Sequence, residues 1–183
     1  MEYTNLHEND QFERFQKEIQ SYNNFGYYNR SVVILSNAIG CFPNHPGLYY
    51  LLALTYYNSK EYLKATECLK NAINYDEKNN KYLGLIGCCL FNTGDYENAF
   101  NYSRKAFELD NRNLDAIVTL GKIELFRHNY NEAYMYINLA VEIDDNNYKA
   151  IRLLSKYYIA KEDDPKKVLE GLYASQKLGN DEE

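Results

Sequence analysis

Shifted against itself by 34 residues, the chain brings four columns of residues into register, and this periodicity constrains the fold more than any other feature. Ala38, Ala72, Ala106 and Ala140 share one column. Ser31, Ala65, Ala99 and Ala133 stand seven residues before them, and Tyr28, Tyr62, Tyr96 and Tyr130 three before that. Ala53, Gly87, Gly121 and Ser155 form a further column of small residues. A small residue recurring at fixed spacing lets two helix axes approach closely, where a larger side chain would hold them apart.

Within each period the spacing predicts two helices. The first carries large residues three and four apart on one face, as in Tyr49, Leu52 and Ala53, or Leu83, Ile86 and Gly87. A short polar turn follows, Asn58-Ser59-Lys60-Glu61 in one period and Asn92-Thr93-Gly94-Asp95 in the next. Gly94 suits a helix C-terminus and Asp95 the N-cap of the next helix. The second helix carries the tyrosine and the two small columns, then ends in punctuation rich in Asp and Asn: DEKNN, DNRN and DDNN.

Together these residues resemble the tetratricopeptide repeat over residues 12–180. The resemblance implies an all-α, right-handed superhelical α-solenoid of five helix-turn-helix hairpins, with an extension at 1–11 and a single domain over 12–181. Its units fall at 12–45, 46–79, 80–113, 114–147 and 148–181. Pro43 stands where the family usually ends a unit with proline. Glu18 occupies a position that is large and apolar elsewhere. In the last unit Lys167 and Gly171 break the columns, which a turn one residue longer restores through Val168, Leu172, Ser175 and Leu178, with Pro165 opening the helix. No further polar capping helix follows that unit, so its end is expected to cap itself or to pack on another copy or on further sequence.

Composition narrows the function. A hydrophobic content of 45% with 25% charged residues of both signs is that of a folding chain, and 183 residues bury a core without disulfides or metal. A net charge of −6 argues against nucleic acid, whose phosphates need a basic face. No apolar run approaches the ~20 residues that span a bilayer, so membrane insertion is not expected. The acidic, polar start MEYTNLHENDQF has no signal-peptide pattern. Cys41, Cys68, Cys88 and Cys89 have no C-x-x-C spacing or nearby histidine, and read as reduced, mostly buried thiols of a cytoplasmic protein.

In the family, the second, fifth, ninth and twelfth residues of each unit line a concave groove. The positions that match are Glu13, Gln16, Gln20 and Asn23, then Gly47, Tyr50, Leu54 and Tyr57. Lys81, Gly84, Cys88 and Phe91 follow, then Asp115, Val118, Lys122 and Leu125, and finally Lys149, Arg152, Lys156 and Ile159. Such a groove is polar at one end, apolar and aromatic in the middle and basic at the far end. Gly84 would let a ligand backbone come close. Tyr50, Leu54, Tyr57 and Phe91 have the composition of a binding hot spot, and Lys122, Lys149, Arg152 and Lys156 suit an acidic ligand segment. Family members that grip the acidic tail of heat-shock chaperones carry a set of Lys, Asn and Arg that is replaced here by Gln16, Gln20, Leu51, Lys81 and Leu85. Lys81 alone matches, so the resemblance does not extend to that clamp.

Nothing in the sequence assembles a catalytic constellation. His7, His45 and His128 lie far apart in terminal or turn segments; Cys88 and Cys89 point about 100° apart on a helix and read as core fillers. Glu124 shares a column with Tyr22, Tyr56, Leu90 and Tyr158, and Arg127 three residues on is its expected partner. No cofactor or metal is expected. The function these features imply is a non-enzymatic scaffold or adaptor that binds a protein or peptide with apolar, aromatic and acidic features. Self-association through uncapped ends, or service as part of a larger assembly, remains the alternative.

Overall fold

A computed structural model describes the backbone of residues 2–161, 170 and 173, with side chains from Phe12 onward. The described residues form nine α-helices and no strand: α1 (Glu2–Asn24), α2 (Tyr28–Cys41), α3 (Pro46–Asn58), α4 (Tyr62–Tyr75), α5 (Asn80–Thr93), α6 (Tyr96–Leu109), α7 (Leu114–Phe126), α8 (Tyr130–Ile143) and α9 (Tyr148–Ala160). They fall into two compact units, Met1–Glu77 holding α1–α4 and Lys78–Glu183 holding α5–α9. The helix begins at Glu2, so the backbone of the 1–11 extension runs on into the first helix. Of the helix read into residues 165–178, residues 170 and 173 are described and helical, while Val168, Leu172, Ser175 and Leu178 lie outside the described residues.

The small-residue columns are where the helices touch. Ala53, Ala65, Ala72, Ala99, Ala106, Ala133 and Ala140 have no exposed surface, nor have Ser31 and Ser155; Ala38, near the chain's start, is half-buried. Around them the first unit packs Ile19, Leu35, Leu48, Leu51 and Leu52, with Phe12 and Phe15 against the edge. The second packs Ile117, Val118, Ile137 and Leu153. Each such aliphatic side chain contributes about 1.5–3 kcal/mol by leaving water. Glu18 points outward and accepts a hydrogen bond from the Tyr22 hydroxyl at 3.1 Å, so its departure from the pattern costs the core nothing.

The turns carry a period of their own. Within each of the four hairpins built from α1 to α8 one residue adopts the left-handed conformation: Gly26 (φ 74°), Lys60 (65°), Gly94 (87°) and His128 (61°). These positions are 34 apart, and only Gly94 was legible as such from the sequence. The backbone there must turn sharply from one helix into the next, which glycine does without strain and Lys or His does not. Lys60→Gly is therefore expected to raise stability by up to about 1 kcal/mol, or ~2–4 °C in melting temperature, and Lys60→Val to lower it, as a thermal scan reads.

Between hairpins the Asp/Asn punctuation works as a two-step clasp. The Asp110 and Asp144 carboxylates accept from the backbone N–H groups of Arg112 at 2.9 Å and Asn146 at 3.2 Å, tightening the turn. Asn113 and Asn147 then cap α7 and α9, accepting from Ala116 N–H at 3.0 Å and Ala150 N–H at 3.1 Å. Asp95 caps α6 in the same way, from Asn98 N–H at 3.3 Å.

Candidate interaction faces on the first helices

In the first unit, Tyr50, Leu54 and Tyr57 follow one another on α3 at intervals of four and three, and all three are half-buried. Leu54 packs against the core of that unit. The Tyr57 ring meets Tyr62, the first residue of α4, edge-on at 5.6 Å. Glu13, Gln16 and Gln20 on α1 are exposed. Asn23 is not part of that surface. It is buried, and its amide donates to Thr55 Oγ1 at 3.0 Å while that hydroxyl donates to Leu51 O at 3.0 Å. A carboxamide at the α1 terminus thus serves helix packing. Gly47 is packed as well: a Cβ there would stand 2.7 Å from the Phe12 ring and 3.0 Å from His45.

In the second unit the twelve residues expected on the face divide into two sets. Gly84, Cys88 and Val118 are buried between helices. The space that Gly84 leaves is taken by the Asn113 carboxamide, whose oxygen would be 2.7 Å from an added Cβ. The same carboxamide caps α7 and donates to Asn80 O at 2.8 Å, so the missing side chain admits the next helix's cap rather than a ligand backbone. Val118 belongs to the core. Cys88 Sγ lies 3.1 Å from Thr119 Oγ1, and burial pushes its thiol up to about 12, with Asp115 adding to the effect. Cys89 is fully buried beside it, so the vicinal pair fills space as expected.

Exposed or half-buried on the same helices are the other nine: Lys81, Phe91, Asp115, Lys122, Leu125, Lys149, Arg152, Lys156 and Ile159. Phe91 is half-buried with its ring 5.3 Å from Tyr96, repeating 34 residues later the pairing of Tyr57 with Tyr62. The Lys122 ammonium stands over the Phe91 ring, 5.7 Å from its centre. Burial holds that ammonium below the usual lysine range. Lys149 and Lys156 push the same way, while Cys88 and Asp115 oppose them. Lys149, Arg152 and Lys156 recur at intervals of three and four along α9 and so share one face.

Glu124 sits at 5% exposure on α7 and is fully partnered: Arg127 Nη1 donates to it at 3.0 Å and Asn129 Nδ2 at 2.7 Å. The pairing with Arg127 is the one expected; the second donor was not. Also unforeseen is Phe126, 59% exposed with its ring 4.5 Å from Tyr96. Its column holds Asn24, Asn58 and Asn92 in the earlier units, a break that would have drawn notice to it. Among the described residues no group of histidine, cysteine and carboxylate converges as a metal site would, and no helix is long and apolar enough to cross a membrane.

Comparison with known proteins agrees with this architecture. A family model described as the tetratricopeptide repeat matches residues 46–79 and 81–113. Comparison with curated protein sequences finds no match. Among solved structures, residues 41 to the end of MamA from Desulfovibrio magneticus RS-1 align with a TM-score of 0.69 at 15% identity, over 92% of this chain and 95% of that one. PilF of Pseudomonas aeruginosa aligns with a TM-score of 0.73 at 18% identity, over 90% and 75%. YrrB, described as a TPR protein with an unusual peptide-binding site, aligns with a TM-score of 0.60 at 19% identity, over 89% and 84%. At such identities the likeness is one of fold, that of an all-α repeat solenoid. With the repeat in its sequence, the clasped hairpins and the match to two of its units, residues 46–79 and 81–113 are tetratricopeptide repeats, and the described residues have the fold of an all-α repeat solenoid.

Proposed function

We propose that the chain is a non-enzymatic scaffold or adaptor that holds a segment of a partner protein against its first helices. The observation that carries this reading is the accessible, mixed surface those helices keep: Tyr50, Leu54 and Tyr57 in the first unit, Phe91 and Leu125 beside Lys81, Lys122, Lys149, Arg152 and Lys156 in the second. Half-buried aromatic and aliphatic side chains offer area at low entropic cost, and the cations give register and rate of encounter. A partner segment that meets the rings of the first unit is apolar and aromatic, and one that meets α9 in the second is acidic. The cytoplasm suits a chain whose four cysteines are unbridged.

The test is capture from native lysate with the purified chain as bait, beside a Tyr50→Ala/Tyr57→Ala variant. The wild type is expected to retain a partner that the variant loses, while the variant still unfolds in one cooperative transition at a lower melting temperature, because both rings are half-buried. Recovery of the same partner by both proteins would remove α3 from the binding face. Recovery of the chain alone would favour self-association.

A further inference from the structure

The two most exposed large apolar side chains among the described residues, Phe25 and Leu63 at 72% each, stand at the two hairpin turns of the first unit. Phe25 lies in the turn between α1 and α2, with the ring of Tyr27, also exposed, 6.3 Å away. Leu63 is the second residue of α4, just past the turn from α3. The ends of α1 and α3 lie side by side, tied by the Asn23 amide on Thr55 Oγ1 at 3.0 Å, so both turns sit on one edge. The same turns are basic. Residues 25–30 and 59–64 hold Arg30, Lys60 and Lys64 against one carboxylate, Glu61, which is paired with Lys64. The Arg30 guanidinium stands over the Tyr22 ring at 4.7 Å and the Lys64 ammonium over the Tyr56 ring at 5.3 Å, two cations held alike one repeat apart. A cleft of about 310 Å³ is lined by Gly26, Tyr27, Asn29 and Arg30. Glu18 and Glu67 lie further back along α1 and α4.

The repeat does not require these side chains. Where Phe25 stands, later hairpins have Ser59, Thr93 and Arg127; where Tyr27 stands, they have Glu61, Asp95 and Asn129. The column of Leu63 holds Asn29, Glu97 and Asn131. The third turn, residues 93–98, carries Asp95 and Glu97 and no cation. Exposed apolar groups among cations are thus a property of the first unit's edge alone. We propose that this edge docks on the surface of an anionic lipid bilayer. Phe25, Tyr27 and Leu63 enter the boundary between headgroups and acyl chains, where aromatic rings are stable. Arg30, Lys60 and Lys64 meet the lipid phosphates, and the cleft beside Arg30 has room for one of them.

The occupant is a bilayer rather than a second folded protein. These side chains protrude from turns instead of lining a groove, and a fluid surface closes around protrusions that a protein would have to match with a cavity. Charge points the same way. The chain as a whole carries a net charge of −6, so an anionic surface repels most of it and admits it by an edge where cations outnumber carboxylates. The contact is peripheral, because no described helix is long and apolar enough to cross a membrane. It uses none of the side chains on the first-helix faces, so it stands apart from the scaffold reading.

Flotation of the whole chain at low salt tests this, with vesicles of phosphatidylcholine alone or with about one quarter phosphatidylserine. The wild type is expected to float with the anionic vesicles, to stay behind with the neutral ones, and to be released as salt screens the cations. Phe25→Ser with Leu63→Asn, side chains that other hairpins carry at these places, weakens binding about tenfold, and Lys60→Gly about fivefold. Because the chain has no tryptophan, Phe25→Trp puts a single reporter at the turn. Its emission is expected to move to the blue on anionic vesicles and to be quenched by lipids brominated in the acyl chain. Absence of binding to anionic vesicles at low salt overturns the proposal, as does equal binding to neutral ones or by the double variant. Unshifted, unquenched emission of a vesicle-bound Phe25→Trp chain overturns it too. A protein partner lost with Phe25→Ser/Leu63→Asn, while vesicles are ignored, assigns the edge to protein docking and removes the bilayer.

Discussion

Replacing Gly87 with leucine is expected to destabilise the protein by about 3 kcal/mol, a loss of ~10 °C in melting temperature. Gly87 is buried where α5 crosses α6 within one hairpin. An added Cβ would run into the Ser103 hydroxyl, and would stand 3.3 Å from both the Ala99 carbonyl and Ser103 Cβ. Two of those three atoms cannot swing aside, because one is backbone and one is the root of a side chain. The hydroxyl is also confined, being buried without a hydrogen-bond partner. Alanine is a milder case, since the helix gains about 1 kcal/mol of propensity on losing glycine. A leucine has no such offset and must push the two helices apart. Unchanged melting of Gly87→Leu would show that the helices do not approach as closely as described.

The second large effect has opposite signs at two ends of one ion pair. Arg127→Ala is expected to cost about 1–3 kcal/mol, because the buried Glu124 side chain then keeps its charge in the packed turn with Asn129 as its remaining side-chain donor. Glu124→Leu is expected to be neutral within about 0.5 kcal/mol or mildly stabilising, since it removes the buried charge itself. Leu90 fills the same column one unit earlier, so the backbone accepts the side chain. Urea unfolding of the two single variants reads the difference directly. Equal losses from both would mean that the pair contributes net stability, and that Glu124 is not an ion tolerated by its partners.

The repeat was legible because its small residues do one thing wherever they occur. Alanine at 65, 99 and 133 answers the same close approach in three hairpins, and each is fully buried. Turn chemistry was legible where it used glycine or aspartate, at Gly94 and Asp95, and hidden where lysine or histidine took the left-handed position at 60 and 128. The candidate face was legible only by register. Spacing places Tyr50, Phe91 and Lys122 on the same side of their helices, but it is silent on what the next helix brings against that side. Asn113 filling the gap at Gly84, and Thr55 claiming Asn23, are contacts between residues about thirty apart in the chain, 29 and 32, which no local pattern encodes. For Cys88 and Val118 the inward face of one helix is the packing face of its neighbour, which is why both are buried.

The most direct test of the central claim is backbone hydrogen exchange of the chain alone and with a captured partner segment. Each amide then reports whether its own helix is covered or stiffened. Binding as described predicts slowed exchange at the exposed turns and frayed ends of α3, α5, α7 and α9, the first helices of their hairpins, with α4, α6 and α8 little changed. Protection concentrated on α4, α6 and α8 would contradict the account, because it would put the partner on the second helices and leave the rings and cations of the first helices without a role in binding.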